Sequence, residues 1–195
     1  MTSNSLRLDR VWRALAAREP WQSGDVARRE AAVALLLRPD PDRMLLVRRA
    51  IHPGDPWSGQ LALPGGRREP EDADLLATAI RETSEEIGVM LRRDEMRATL
   101  DDLAPVASVL PPIVVRPFVF RLDRDVTTGL NGEIDEAAWV ELATLADPAV
   151  RRADEQMVQG VPRRVIGYHL PLGLLWGMTE RIVTPVVAAW LAAGD

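Results

Sequence analysis

Three glutamates stand close enough together in the sequence to bind one divalent cation. Glu82, Glu85 and Glu86 are separated by three and four residues, so their side chains are neighbours if the segment is helical. Like charges at this spacing destabilise an isolated helix, whereas Mg²⁺ takes carboxylate oxygens and keeps several waters for itself. The spacing alone leaves two interpretations open, a Mg²⁺ site and an acidic helix face that only contacts water.

A helix must position these acids, and the sequence carries signals for both of its ends. Asp72 or Asp74 can cap its first turn, and Gly88 suits the left-handed position just past its end. At about 100° per residue, the three glutamates fall nearly opposite a predicted buried stripe. That stripe consists of four residues at helical spacing: Leu76, Ile80, Thr83 and Ile87. Arg81 lies one turn before Glu85 and can orient its carboxylate through a charge-assisted pair.

With the preceding glycines, the segment 64–89 resembles the Nudix box. The pattern of that box is G, five residues, E, seven residues, then R-E-U-x-E-E-x-G-U, with U aliphatic. The matching positions are Gly66, Arg81, Glu82, Glu85, Glu86, Gly88 and Val89. Here the gap before Arg81 is one residue longer, Asp72 or Glu71 takes the place of the first glutamate, and Thr83 replaces an aliphatic residue. The longer gap is similar to the variant box of the coenzyme A pyrophosphatase branch.

The flanking segments also resemble that branch. Upstream, its G-Q-x-x-F-P-G-G motif is matched by Gly59, Gln60, Pro64, Gly65 and Gly66, with Leu63 in place of Phe. Arg48 or Arg49 could fill its upstream arginine position, although the loop here is one or two residues longer. Near the C-terminus, the stretch 175–179 is similar to its W-G-x-T motif. Trp57 either anchors the loop or offers a stacking surface for a base.

The resemblance implies metal-dependent hydrolysis of a nucleoside diphosphate linked to another group, with coenzyme A or an acyl derivative as the leading substrate. Mg²⁺ or Mn²⁺ would be held by Glu82, Glu85 and Glu86, with a backbone carbonyl of Gly65 or Gly66. A proton acceptor would be Glu133 or a box acid such as Glu85 or Glu86, with Glu136 as the alternative to Glu133.

Substrate contacts would come from residues around the glycine pair. Arg48, Arg67 and Arg68 could clamp phosphate oxygens, or could be solvated surface arginines. Gln60 and Trp57 complete the predicted binding set. Two other functions stay open: a Nudix pyrophosphatase acting on nucleotide sugars, dinucleotides or nucleoside triphosphates, and a non-catalytic domain that senses a nucleotide.

The rest of the chain predicts an α/β fold with a mixed sheet between helices, in agreement with the α/β/α sandwich that the resemblance implies. Predicted strands cover 31–37 and 44–48, which form a hairpin, 113–122 and 163–168, and the segment 133–142 enters a further strand near Trp139. Pro117 indicates an edge strand or a bulge. Predicted helices cover 6–18, 143–150 and 174–193, the last bent near Pro185. Residues 1–28 are expected to form a helix and linker before a domain at 29–195.

Composition and charge limit the binding partners and the cellular location that we expect for this protein. The 195 residues carry a net charge of −5, which argues against a nucleic-acid-binding surface, and contain no cysteine. The N-terminus lacks the apolar core of a signal peptide, so we expect a cytoplasmic protein. The apolar stretch 174–193 includes Glu180 and Arg181, which favour a packed or dimer-forming helix over a membrane span.

Overall fold

A mixed β-sheet lies between helices that pack on both of its faces. The computed structural model describes residues 3–25, 28–54, 57–104, 112–158 and 160–194. The helices within these ranges are α1 (Ser3–Leu15), α2 (Leu75–Ile87), α3 (Leu142–Ala146) and α4 (Gly177–Ala192), with a 3₁₀ turn at Arg93–Glu95. The strands are β1 (Arg29–Arg38), β2 (Arg43–Arg49), β3 (Leu61–Ala62), β4 (Gly65–Arg67), β5 (Met96–Thr99), β6 (Ile113–Arg121), β7 (Ile134–Glu141), β8 (Arg151–Val158), β9 (Val161–Leu170) and β10 (Gly173–Trp176).

Seven of these strands form the mixed sheet, in the order β3-β2-β1-β6-β5, with β4 paired to β1 and β7 to β2. β1 and β6 run parallel, and the other pairs run antiparallel. In the described chain β1 pairs with β2 beside the turn, at Leu37–Met44 and Arg38–Arg43. Further along, β4 takes the place beside β1, from Ala31 to Val33. The predicted hairpin is therefore confirmed, and its strands separate where the glycine pair enters the sheet.

Strand β1 is apolar on both faces because it contributes to two cores. Leu35 and Leu37 pack in a cluster with α1, α3 and α4. Ala34 and Leu36 pack in the opposite cluster, against Ala79 and Ile87 of α2. This double burial explains why β1 reads as a continuous hydrophobic run rather than an alternating one.

The N-terminal helix belongs to this arrangement. Leu8, Val11 and Trp12 of α1 lie in the same cluster as α4. Arg7 Nε and Arg10 Nη1 donate to carbonyls at the end of α4, at 3.0 Å and 2.9 Å. The helix begins and ends three residues earlier than predicted, at Ser3 and Leu15. Residues 26 and 27, within the predicted linker, lie outside the described residues.

The structure corrects one predicted helix and decides between two alternatives for a strand. The predicted helix at 174–193 begins only at Gly177, because the three preceding residues pair with β9 as strand β10. Of the two alternatives for Pro117, the edge is excluded because β6 lies between β1 and β5, whereas the β5–β6 register does shift nearby, between Met96 and Ala98. Pro117 is tolerated there because β5 has ended at Thr99, and the Pro117 carbonyl accepts the N–H of Leu100 at 3.0 Å.

A smaller sheet of β8, β9 and β10 packs against α4 and β3. Arg151 of β8 donates to the buried Glu180 of α4 at 2.8 Å, so the acid that interrupts the apolar stretch has a partner. Within the described ranges, no helix is both long enough and apolar enough to cross a bilayer.

Candidate active site

Helix α2 begins and ends at capping residues that the sequence indicated. Asp74 is the N-cap, and its Oδ1 accepts the N–H of Ala77 at 2.7 Å. Gly88 ends the helix in the left-handed conformation with φ of 69°, and its N–H donates to the carbonyl of Ser84. Of the two capping candidates, the structure selects Asp74 and leaves Asp72 available for another contact.

The buried face of α2 is rotated from the predicted stripe. Thr83 and Ile87 are buried as expected, but Leu76 and Ile80 are only half-buried. The fully buried set is Leu75, Thr78, Ala79, Thr83, Glu86 and Ile87. Glu86 therefore lies inside, with 3% of its surface exposed, while Glu82 and Glu85 lie nearer to solvent. The three carboxylates are in three different environments.

The glycine pair of β4 allows the backbone to approach these acids. Gly65 donates its N–H to Glu86 Oε2 at 2.8 Å and has φ of 149°, which L side chains rarely adopt. A Cβ on Gly65 would lie 2.2 Å from the carbonyl oxygen of Ala32. A Cβ on Gly66 would lie 2.4–2.5 Å from the carboxylate of Glu82. Gly65 therefore requires glycine, because its neighbour is the backbone of β1, whereas a side chain at Gly66 would have to displace the Glu82 carboxylate.

Arg81 connects the acids of α2 to the strand beside them. Its Nη1 donates to Glu85 Oε2 at 2.9 Å, which is the pair that the sequence suggested, and lies 3.1 Å from Glu82 Oε1. Its Nη2 donates to the carbonyl of Arg67 at 3.0 Å. One guanidinium thus fixes two of the three glutamates relative to β4.

Asp72 anchors Arg81, a contact that sequence reasoning missed. Its two oxygens accept Arg81 Nε at 3.0 Å and Nη2 at 2.9 Å, and it is almost fully buried. Asp72 also accepts the Thr78 hydroxyl and the Glu69 N–H, each at 2.9 Å. These bonds, led by those from Arg81, hold the pKa of Asp72 well below its usual range. The signal available in the sequence was its place near the first acid of the box pattern.

Negative charge accumulates around Glu86. Its pKa is raised to about 7, chiefly by burial, with a smaller contribution from the charges of Glu82 and Glu133 and opposition from the N–H of Gly65. Burial also raises the pKa of Glu82, against the opposing effect of Arg81. The ionised forms of these two carboxyls therefore lack enough compensating positive charge from the chain itself.

A cleft of about 820 Å³ opens beside the acids. One side is polar and includes the three glutamates, Arg81, the glycine pair and Glu133. The other side is apolar and is formed by the sheet and α4, through Val33, Leu61, Leu63, Ile113, Val115, Met178 and Ile182. Trp57 and Gln60 line it as well.

The arginines that were predicted to bind phosphate oxygens lie in different parts of the structure. Arg67 lines the cleft, and so does Arg49, whereas Arg48 pairs with Glu136 at 2.6 Å and is absent from the lining. The β2–β7 register shifts between Arg48 and Arg49, so a β-bulge falls at this point. Arg68 pairs with Glu30 at 2.8 Å in a neighbouring groove. Of the two upstream candidates, the structure thus brings Arg49 rather than Arg48 to the cleft.

The donor set fits a hard divalent cation in its chemistry. Among the described residues, no three acidic or histidine side chains already surround one point as ligands. Present contacts account for this, because Glu86 accepts the Gly65 N–H and Glu85 pairs with Arg81. The raised pKa values of Glu82 and Glu86 nevertheless mark carboxylates whose charge a cation would compensate.

The sequence matches the family model of the NUDIX domain over residues 27–161 of 195. The chain belongs to the Nudix family. It is 40% identical over 165 residues to the uncharacterized Nudix hydrolase NudL of Yersinia pestis (strain Pestoides F), covering 80% of this chain and 76% of that protein. It is 30% identical over 156 residues to NudL of Photorhabdus laumondii, covering 80% and 81%.

A solved structure supports the Nudix fold. The crystal structure of a MutT/nudix family protein from Enterococcus faecalis superposes with a TM-score of 0.58, covering 95% of this chain and 73% of that one at 16% identity. The predicted α/β fold with a mixed sheet is confirmed. This Nudix protein is a hydrolase of pyrophosphate bonds, in a family that generally needs a divalent metal ion such as Mg²⁺ or Mn²⁺ and acts on small-molecule diphosphates.

Proposed function

We propose that this Nudix hydrolase cleaves the diphosphate of coenzyme A or an acyl-coenzyme A. The observation that carries the proposal is the two-sided cleft, with acids and a glycine pair facing an apolar wall. A diphosphate suits the acidic side once a cation is bound, while an extended pantetheine or acyl chain suits the apolar side. A sugar would instead need polar partners for its hydroxyls, because a buried hydroxyl without a hydrogen bond costs free energy.

The metal ligands in this proposal are Glu82, Glu85 and Glu86, together with a carbonyl of Gly65 or Gly66. A bound Mg²⁺ or Mn²⁺ would neutralise the diphosphate oxygens and lower the pKa of a bound water. Arg81 positions the ligands, since it holds Glu85 and lies against Glu82 while being anchored by Asp72. The Gly65 N–H holds Glu86 at the inner end of the cleft.

Glu133 is our candidate for the proton acceptor. It lines the cleft, whereas the alternative, Glu136, pairs with Arg48 at 2.6 Å. The backbone of Glu133 is held on both sides, because its N–H donates to Asn131 Oδ1 and its carbonyl accepts the N–H of Ala50. Its negative charge also acts on Glu82 and Glu86. A carboxylate so placed can receive a proton from the attacking water.

We assign substrate contacts to residues that line the cleft. Arg67 and Arg49 would bind phosphate oxygens, since guanidinium donors match phosphate geometry. Gln60 can hydrogen bond to the substrate, and Trp57 offers a face for the base. Arg48 and Arg68, which the sequence also suggested, have acidic partners elsewhere and are not assigned this role.

The test is a substrate panel in the presence of Mg²⁺ or Mn²⁺, with products identified by mass spectrometry. The panel contains coenzyme A, a long-chain acyl-coenzyme A, ADP-ribose, a nucleotide sugar, a dinucleotide and nucleoside triphosphates. We expect the highest kcat/KM for a coenzyme A compound, with a phosphopantetheine product. Faster cleavage of another diphosphate would overturn the substrate assignment. Metal-independent nucleotide binding with no cleavage of any diphosphate would favour a sensor.

A further inference from the structure

A second groove adjoins the catalytic cleft, beside the start of β1 and the end of β4. Its volume is about 360 Å³, and apart from Pro70 its lining is charged, consisting of Arg28, Arg29, Glu30, Arg67, Arg68 and Glu69. Arg67 and Glu69 line both this basic groove and the cleft, so the two are continuous. A ligand lying in the cleft can therefore extend into the basic groove.

Two of the four arginines in the basic groove have acidic partners. Arg28 pairs with Asp25 at 2.9 Å, and Arg68 pairs with Glu30 at 2.8 Å. The remaining two, Arg29 and Arg67, are exposed and make no side-chain hydrogen bond or ion pair with the described residues. Glu69, the other acid of the groove, lies 3.9 Å from Arg81 Nη1. Among the described residues, the groove thus offers two guanidinium groups that no carboxylate pairs with.

Strand register brings these two arginines together. Ala31 of β1 pairs with Arg67 of β4, and the ladder continues through the Arg68 N–H, which donates to the Glu30 carbonyl at 3.0 Å. Arg29 precedes Ala31 by two residues, so Arg29 and Arg67 are diagonal neighbours on one face, about 7–8 Å apart at the backbone. The two positive charges repel each other at this spacing. An anion between them would make the pair favourable.

We propose that the basic groove binds a phosphate monoester carried by the substrate in addition to its diphosphate, a proposal that rests on the proposed function. Arg29 and Arg67 present planar forks that match phosphate oxygens. The distance between the acidic side of the cleft and the basic groove suits a single ligand. Gly66 lies against Glu82 and pairs with Ala32 of β1. Ala32 is three residues, or about 10 Å, from Arg29 along that strand. One ribose that carries the diphosphate and a further phosphate spans such a gap when the arginine side chains reach inward.

Coenzyme A and dephospho-coenzyme A provide the direct test, since they differ by one phosphate monoester on the ribose. We expect kcat/KM to be about 10- to 100-fold higher for coenzyme A, as charge-assisted hydrogen bonds to one phosphate would give. Arg29→Gln should lower this ratio several-fold, because only Arg67 then remains to bind the monoester, with hydrolysis of dephospho-coenzyme A unchanged. Arg164→Gln is the matched control, because Arg164 is an exposed arginine on strand β9.

The possible results separate the groove from the proposed function. Equal kcat/KM values for both compounds, unaffected by Arg29→Gln, would show that the basic groove does not bind the phosphate monoester. The hydrolase proposal would stay intact. If neither compound is cleaved, the substrate assignment fails. Calorimetry then tests phosphate binding in the groove, by comparing the affinities for adenosine 3′,5′-bisphosphate and adenosine 5′-monophosphate. Tighter binding of the bisphosphate that is reduced in Arg29→Gln supports the groove. Equal binding of the two nucleotides rejects it.

Discussion

At the scale of single residues, Glu86 is a buried carboxylate whose negative charge its surroundings do not compensate. It is buried, accepts one backbone N–H, and lies near the charges of Glu82 and Glu133. A charge in this position is unfavourable unless a cation compensates it. The same property that weakens the metal-free fold would therefore strengthen metal binding.

Glu86→Gln tests whether this carboxylate takes part in catalysis. We expect kcat to fall at least about 10²-fold with the fold intact, because a group that stabilises charge in the transition state is lost. Glutamine can still accept the Gly65 N–H, so the packing should persist. Kinetics at saturating Mg²⁺ and circular dichroism would measure the two effects. Glu71→Gln, at an exposed position of the preceding loop, is the control, and near-normal turnover of Glu86→Gln would reject the assignment.

The raised pKa of Glu86 predicts a pH-dependent stability of the metal-free protein. The carboxyl titrates near 7 when folded and near its ordinary value of 4.5 when unfolded, so the folded state binds more protons between these values. Its contribution to stability therefore falls as pH rises through this window. Relative to wild type, Glu86→Gln should gain more stability at pH 8 than at pH 5, by on the order of 3 kcal/mol. Urea denaturation in a chelator measures this, and an equal difference at both pH values would contradict it.

At the scale of elements, α2 is locked to the preceding loop through Asp72 and Arg81. Asp72→Asn removes the buried counter-charge of Arg81 and should lower the free energy of unfolding by about 1–3 kcal/mol. It should also lower turnover, since Arg81 would no longer be held against Glu85. Asp74→Asn is the control, because asparagine caps a helix as well as aspartate does. Equal unfolding midpoints for the two variants would argue against the anchor.

The fit between β4 and α2 can be tested at Gly66. A Cβ there meets the end of the Glu82 side chain, which can move, so Gly66→Ala should fold. We expect the moved carboxylate to bind Mg²⁺ more weakly, with the half-saturating concentration rising about 10-fold or more. Gly132→Ala, where a Cβ meets nothing within 4 Å, controls for adding a methyl group. If the Mg²⁺ dependence of activity is unchanged, Glu82 is not a metal ligand.

Sequence patterns predicted the elements whose signals are local. The caps of α2 and the β1–β2 hairpin depend on neighbouring residues, so their chemistry could be recognised. Strand β8 could not be, because its exposed and charged residues become a strand only by pairing with β9. The bulge at Arg48 and Arg49 is equally non-local, since it depends on the register with β7. A one-residue shift redirects a strand side chain, so the sequence could not decide which arginine reaches the cleft.

At the scale of the whole molecule, the cleft exists because β1 and β2 separate beyond their hairpin. Strand β4 enters beside β1, so α2 on one face of the sheet and α4 on the other both contribute to the cleft. Its lining extends from Ala31 to Ile182, across most of the chain. The acidic side could be predicted from one sequence motif. The apolar wall could not, because its residues are distant in sequence and only the fold brings them together.

The apolar wall should determine how an acyl chain affects the rate. Met178 of α4 is half-buried in this wall, so Met178→Gln places a polar amide where the acyl chain would lie. We expect kcat/KM for a long-chain acyl-coenzyme A to fall about 5- to 10-fold, the effect of losing apolar contact area, with little change for free coenzyme A. Met157→Gln, at an exposed methionine of β8, is the matched control. If Met178→Gln lowers kcat/KM for both substrates equally, the chain does not lie along this wall and must leave the cleft in another direction.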